Sequence, residues 1–230
     1  MNETGAFRPI LQFLSDTDKQ KIYDSVLQVI ERIGMTVMHP EAIDLLKSAG
    51  CRVTDNHVRI PSKWVEKAVA AAPKNISVYN RTGERVMDLG GRRSYFGTGS
   101  DLIYALEADR MTRKRCRLED VRRAARVSDA LPNIDFIMSF AHPSDITPGK
   151  AYLESFAAMA ENSVKPIVCT AEGRKDLTEM WEISRILRGD ETALQSKPYW
   201  IHYAEPLSPL KLPVKSLEKL LFCAEPCMPV

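Results

Sequence analysis

Hydrophobic positions recur at helical spacing from Ile22 through Val26, Val29, Ile30 and Ile33, behind the capping run Ser15-Asp16-Thr17-Asp18 and ahead of Gly34. That pattern predicts an amphipathic helix. Ile43, Leu46 and Ala49 repeat it between Pro40 and Gly50, with proline in the first turn. The pattern then shortens: Arg52-Val53-Thr54 and Val58-Arg59-Ile60 flank Asp55-Asn56-His57, a hairpin signal. Ser62 caps a third helix that runs through Ala72 and is stopped by Pro73. From Ile76 to Tyr95 strand-like pieces are divided by Asn80-Arg81-Thr82-Gly83 and by Gly90-Gly91, both turn formers. Residues 1–90 therefore predict a helical and β-hairpin cap.

Beyond residue 90 the rhythm becomes strand, loop, helix, repeated. Strands are expected at Arg93–Gly97, Asp135–Ala141, Pro166–Thr170 and Tyr199–Tyr203. Helices follow at Leu118–Leu131, Gly149–Glu161, Lys175–Leu187 and Val214–Ala224, and a fifth strand begins at Met228-Pro229-Val230. Such alternation requires parallel strands joined by helical crossovers, an α/β arrangement. Four units and the start of a fifth amount to half of an eight-stranded (β/α) barrel. Half a barrel leaves unpaired strand edges, so the chain is expected to be a fragment or one part of an obligate assembly. A complete open α/β sheet is the alternative.

Composition changes this picture little. The 230 residues are 44% hydrophobic and 27% charged, ordinary globular material. With 32 basic and 30 acidic side chains the net charge is +2, which gives no argument for nucleic acid or an anionic membrane. No apolar run approaches the roughly 20 residues that span a bilayer. Five cysteines without a leader pattern fit a reduced, cytoplasmic location. Cys223 and Cys227 stand four apart on a predicted helix, short of the four ligands of a structural zinc site. The basic run Arg110, Arg113, Lys114, Arg115, Arg117, Arg122, Arg123 and Arg126 reads as a solvated face, with docking of an acidic partner as the alternative.

Candidate chemistry sits at the predicted strand ends. Tyr199-Trp200-Ile201-His202-Tyr203 alternates two faces, and Pro206 ends the ladder, which leaves the Glu205 carboxylate at the strand tip. The first strand runs into Tyr95-Phe96-Gly97-Thr98-Gly99-Ser100-Asp101, whose Asp101 is a turn-stabilising group or a counterion for a cationic substrate. The second strand ends at His142 and the third at Cys169-Thr170-Ala171-Glu172. No Ser/His/Asp triad or Cys/His dyad follows from the spacing. Tyr95, Phe96, Tyr104, Trp200 and Tyr203 would converge on one rim, where aromatic faces attract quaternary ammonium groups by roughly 0.5–2 kcal/mol per contact. Most such rings in any protein are core packing instead.

Three segments resemble the trimethylamine methyltransferase family: Phe96-Gly97-Thr98-Gly99-Ser100-Asp101, Asp120 to Phe136 with Ala130-Leu131-Pro132-Asn133-Ile134-Asp135, and Tyr203-Ala204-Glu205-Pro206-Leu207-Ser208-Pro209-Leu210. The resemblance implies a TIM-type (β/α) barrel, of which this chain holds the first four to five units, with residues 91–230 as the partial barrel. It implies transfer of a methyl group from trimethylamine, or from a quaternary amine such as glycine betaine, to the cobalt of a corrinoid protein. Cobalamin is then carried by that cognate partner and not bound directly, no metal site is expected on this chain, and a homo-oligomer is the expected assembly. Glu205 and Asp101 are the expected charge partners. Tyr95, Phe96, Gly97, Tyr104, His142, Trp200, His202 and Tyr203 are the expected substrate contacts. The alternative is a non-catalytic remnant or assembly subunit of the same fold.

Overall fold

The computed structural model describes residues 11–107, 109 and 111–230; Arg110 of the basic run lies outside them. Ser15 starts helix α1 (Asp16–Gln28): its hydroxyl accepts the Asp18 N–H while the Asp18 carboxylate accepts the Ser15 N–H. The helix widens into a π turn over Val29–Ile33 and ends at Gly34, where φ is 86°. A side chain at Gly34 would collide with the Val58 carbonyl and with the His57 and Arg59 side chains, so only glycine lets this turn sit on the following hairpin.

Strand β1 (Met35–Val37) and helix α2 (Pro40–Ser48) lead to the hairpin of β2 (Arg52–Thr54) and β3 (His57–Arg59), then to α3 (Ser62–Ala71). The second hairpin strand begins one residue earlier than its hydrophobic pattern indicates. Thr54 pairs with His57, so Asp55 and Asn56 alone make the turn, and Asp55 takes φ 54°. A second hairpin joins β4 (Ile76–Tyr79) to β5 (Arg85–Leu89). Its turn is built on buried Asn80, whose Oδ1 accepts from the Thr82 and Glu84 N–H groups. The hairpin closes the N-terminal end of the later sheet through Tyr79 N–H to Pro198 O and Arg81 N–H to Val164 O.

Strands β6 (Tyr104–Leu106) and β7 (Arg113–Arg115) form a third hairpin, which the sequence pattern did not reveal. The alternating part follows as α4 (Leu118–Ala130), β8 (Ile137–Met138), α5 (Ala151–Asn162), β9 (Ile167–Cys169), α6 (Arg174–Arg188), α7 (Glu191–Ser196), β10 (Trp200–His202), β11 (Lys211–Leu212) and α8 (Val214–Ala224). Strands β8, β9 and β10 are parallel and adjacent in chain order, with Ile137 and Trp200 both paired to Ile167. The ladder extends at both edges. Gly97 bridges Phe136 in parallel, and the His202 N–H donates to Pro229 O at 2.9 Å. The expected strand Arg93–Gly97 is thus reduced to one bridge, because Tyr95 and Arg93 are bonded sideways to Asp88 of β5.

One face of this sheet is sealed by helices. Ile137, Ile167, Cys169, Trp200 and His202 are buried there, among Phe156, Met159, Leu177, Met180 and Phe222. The alternate residues Met138, Val168 and Ile201 face the other way and are half-buried. The architecture is mixed α/β with eight α-helices and small sheets, none closed into a barrel among the described residues. After Glu205 the chain returns to the cap: β11 pairs in parallel with β1, and Leu217 joins Val37, Val58 and Cys51 in a second core. No described helix is long and apolar enough to cross a membrane.

Candidate active site

The strand C-termini place four loops along one edge. The loop after Gly97 is locked to β8 by Thr98, whose Oγ1 accepts the Met138 N–H at 2.8 Å and donates to Met138 O at 3.2 Å. Further along, the Asp101 N–H donates to Ser139 O at 3.0 Å and the Ser139 hydroxyl donates to Asp101 Oδ1 at 2.9 Å. Asp101 adopts φ 57°, a left-handed conformation that Asp tolerates better than most residues. Ser139 therefore holds Asp101 through both its backbone and its carboxylate.

At the opposite end of the edge, the Tyr203 N–H donates to Cys169 O at 2.7 Å and continues the parallel ladder past His202. The Tyr203 hydroxyl then donates to Glu205 Oε2 at 2.6 Å. The Glu205 backbone is tied down by the Ser216 hydroxyl, which donates to its carbonyl at 2.9 Å from the first turn of α8. Between these ends His142 meets Tyr152 edge to face, with ring centroids 5.4 Å apart. His142, Tyr152, Glu172, Arg115 and Ile103 line a cleft of 370 Å³.

The electrostatics tie the edge together. Burial pushes the Tyr152 hydroxyl pKa up, and the charges of Asp101 and Glu172 add to the shift. The hydrogen bond to Glu205 and that carboxylate's charge push the Tyr203 hydroxyl up, with a further contribution from Asp101. Both phenols therefore remain protonated donors at neutral pH. Glu172 is held below its usual range by the Lys215 ammonium, 2.7 Å away. Buried Lys219 reaches Thr170 Oγ1 at 3.1 Å and Ala171 O at 3.2 Å, and desolvation lowers its pKa.

Residues 4–230 match the sequence model of the family described as trimethylamine methyltransferase (MTTB). The chain belongs to that family. It is 27% identical to a glycine betaine methyltransferase of Desulfitobacterium hafniense strain Y51 over 96% of its own length and 46% of the relative's. A trimethylamine methyltransferase MttB of Desulfitobacterium hafniense strain DSM 10664 / DCB-2 is 27% identical over 94% of this chain and 44% of its own. An MttB1 of Methanosarcina mazei is 27% identical over 94% and 46%. The chain spans about half the length of the curated relatives it matches.

Within this family member the ten residues expected from sequence divide in two. Asp101, His142, Tyr203 and Glu205 lie along the edge just described. Trp200 and His202 share the opposite face of β10: Trp200 is fully buried against Phe156, centroids 5.0 Å apart, and His202 is 1% exposed. Strand alternation put them there, because Tyr203 and Ile201 take the open face. Tyr95 is bonded to the β5 backbone through its hydroxyl, 2.8 Å from Asp88 N. The Tyr104 ring is covered by the Arg113 guanidinium at 4.2 Å. Phe96 is 68% exposed, its N–H bonded to Asp135, and Gly97 lies under the Phe136 ring. Tyr95, Tyr104 and Gly97 are thus engaged by the fold around the edge, whereas the Phe96 ring is open to solvent.

Sequence reasoning passed over Tyr152, and it named Glu172 at the end of the third strand without giving it a role. Glu172 had a signal: it stands three residues past the last residue of β9, as Glu205 stands three past that of β10, and the register aligns Cys169 with His202. Chemically the edge is suited to a cation, with three carboxylates, two phenols and an imidazole. The described thiols near it are unreactive. Burial pushes the Cys223 thiol up to about 12 and Cys169 higher still. Cys227 lies past the end of α8 with φ 56°, so the two cysteines are not on one helix.

Proposed function

We propose that the edge bearing Asp101, Tyr203 and Glu205 is part of the methylated-amine site of a corrinoid-dependent methyltransferase, and that the parallel sheet is the first part of a TIM-type (β/α) barrel. The Tyr203–Glu205 hydrogen bond supports this reading most directly, because it fixes a negative charge beside an aromatic ring at a strand tip. Supporting the barrel are the parallel strands β8, β9 and β10 in chain order, with the parallel Gly97–Phe136 bridge before them and the His202 N–H to Pro229 O bond after them. Relatives named for trimethylamine and for glycine betaine support a small methylated amine as the substrate class in this reading.

The methyl acceptor in this reading is cobalt of a corrinoid held by a separate protein. A quaternary donor releases a tertiary amine, with the carbon–nitrogen electron pair staying on nitrogen, so no residue need supply a proton. The chain's work is then to hold and orient the cation and to exclude water. Asp101 and Glu205 neutralise its charge, and the Tyr203 and Tyr152 rings offer it their faces. Buried Lys219 stands behind the edge and limits how negative the site becomes.

Calorimetric titration with glycine betaine and tetramethylammonium tests the site. Saturable binding that is weakened in Glu205→Gln supports it; equal affinity in the two proteins rejects it. The half-buried Met138, Val168 and Ile201 favour a second reading, a subunit or remnant of the fold that acts only when this face is covered. Absence of binding by a folded chain, with methyl transfer restored when a further polypeptide covers the sheet, favours that reading.

A further inference from the structure

The cap holds a second concentration of charge, remote in sequence from the candidate active site. Arg32, Arg52 and Arg59, with Glu31, Gly50 and Pro61, line an open pocket of 440 Å³. The register of the first hairpin pairs Arg52 directly with Arg59, so two guanidiniums leave the same face of adjacent strands. Like charges in that position repel and destabilise a hairpin unless something lies between them. The π turn after α1 brings Arg32 to the same place, because Gly34 allows close contact with Arg59 and His57.

The protein's own acceptors do not meet this charge. Among the described residues none of the three guanidiniums lies within 4.0 Å of a carboxylate. The carboxylate of Glu31 is engaged by the Ser62 hydroxyl at 2.6 Å. The carbonyls of Val29, Ile30 and Ile33 at the end of the helix already accept from Gly34, Ile60 and His57. Arg59 Nε is buried and has no hydrogen-bond partner among the described residues, although a buried guanidinium donor ordinarily has one.

We infer that this pocket binds a phosphoryl group. Guanidinium forks match phosphate oxygens in bidentate pairs, and three forks around one opening suit a dianion better than a monocarboxylate. Bound phosphate would lie between the outer guanidinium nitrogens of Arg52 and Arg59 and relieve their repulsion, with Arg32 closing the outer side. The ligand is either free inorganic phosphate or a small phosphate ester.

The test is thermal melting and calorimetry of the whole chain with inorganic phosphate and with glycerol phosphate, at low millimolar concentration against chloride of equal ionic strength, where general salting effects are small. Both Arg32 and Arg52 are exposed, so Arg32→Gln and Arg52→Gln are expected to fold. The expected result is a phosphate-dependent rise in Tm that each variant reduces, with affinity falling about tenfold or more. In phosphate-free buffer Arg52→Gln should melt at or above the parent protein, because it removes the opposed charge. Tighter binding of inorganic phosphate assigns the site to the free ion, and tighter binding of glycerol phosphate assigns it to an ester. No rise above the chloride control, or undiminished binding in the Arg32→Gln/Arg52→Gln double variant, overturns the inference.

Discussion

The Tyr203 hydroxyl donates to Glu205 Oε2 at 2.6 Å, so the ring and the carboxylate at the tip of β10 form one rigid unit. Pro206 follows at once, and the Ser216 hydroxyl holds the Glu205 carbonyl from α8. The unit is nevertheless on the open side of the sheet, with Tyr203 45% exposed. Removing the charge should therefore cost binding and not stability. Glu205→Gln is expected to lower tetramethylammonium affinity roughly tenfold, the worth of one charge-assisted contact, with Tm unchanged. Tyr203→Phe keeps the ring, frees the carboxylate to move, and should lower affinity less. Calorimetry paired with thermal melting separates the two effects.

Asp101 offers a cleaner separation of charge from geometry. Its backbone sits at φ 57° and its Oδ1 accepts from Ser139, two roles that asparagine can fill. Asp101→Asn should leave Tm unmoved, lower affinity for a quaternary ammonium ion by roughly three- to tenfold, and bring the Tyr152 and Tyr203 titrations down. Asp101→Ala loses the Ser139 bond and the left-handed tolerance as well, and should melt lower. Ultraviolet titration of the tyrosines and a melting curve check both expectations.

How much of this was legible in the sequence depended on the length of each pattern. Helices α4, α5, α6 and α8 were visible because each carries several turns of periodic apolar residues and a stop signal. The strand order followed from their alternation with strands. What escaped were elements whose partner is remote: β11, two residues long, exists only because β1 lies beside it, and the β6–β7 hairpin has arginines and lysine where strand periodicity should be. The site was half legible for a similar reason. Asp101 and Glu205 stand at strand tips that sequence can locate, whereas the facing of Trp200 against Tyr203 depends on a one-residue register that aromatic content does not reveal. Glu172 required aligning two strands that only the structure pairs.

Gly97 is a packing requirement more than a ligand contact. A Cβ at this position would overlap the Phe136 ring, at the parallel bridge that leads into the Thr98 contacts with β8. Gly97→Ala should destabilise the chain by about 1–3 kcal/mol, the usual cost of forcing extra volume into a packed contact. Phe136→Leu in the same chain should recover part of the loss, although it is destabilising alone. A double-mutant cycle in urea measures the coupling, and strictly additive effects would show that the ring and the glycine do not meet.

His202 should make stability fall between about pH 6.5 and pH 4. Both ring nitrogens are buried without hydrogen-bond partners, and burial, with a smaller push from the Lys219 charge, lowers its pKa to about 4. The unfolded chain takes up a proton near pH 6.5 while the folded chain resists it until about pH 4. Below pH 6.5 the unfolded state therefore binds more protons, and stability declines as pH falls, by about 3 kcal/mol over the window. Carboxylates held below their usual range, such as Glu172, add to the fall from about pH 5 downward, where the unfolded chain begins to protonate them. His202→Leu removes both the titration and two unsatisfied polar atoms. Its stability at neutral pH should equal or exceed the parent's, and its urea midpoint should stay level from pH 6.5 to 5. Lys219→Gln should shorten the falling limb and reduce the total loss, because the folded imidazole then protonates at a slightly higher pH while the unfolded reference is unchanged. A parent midpoint that is flat across this window would mean that water reaches the ring, and the sheet–helix layer would have to be looser than the burial of Trp200 and Phe156 indicates.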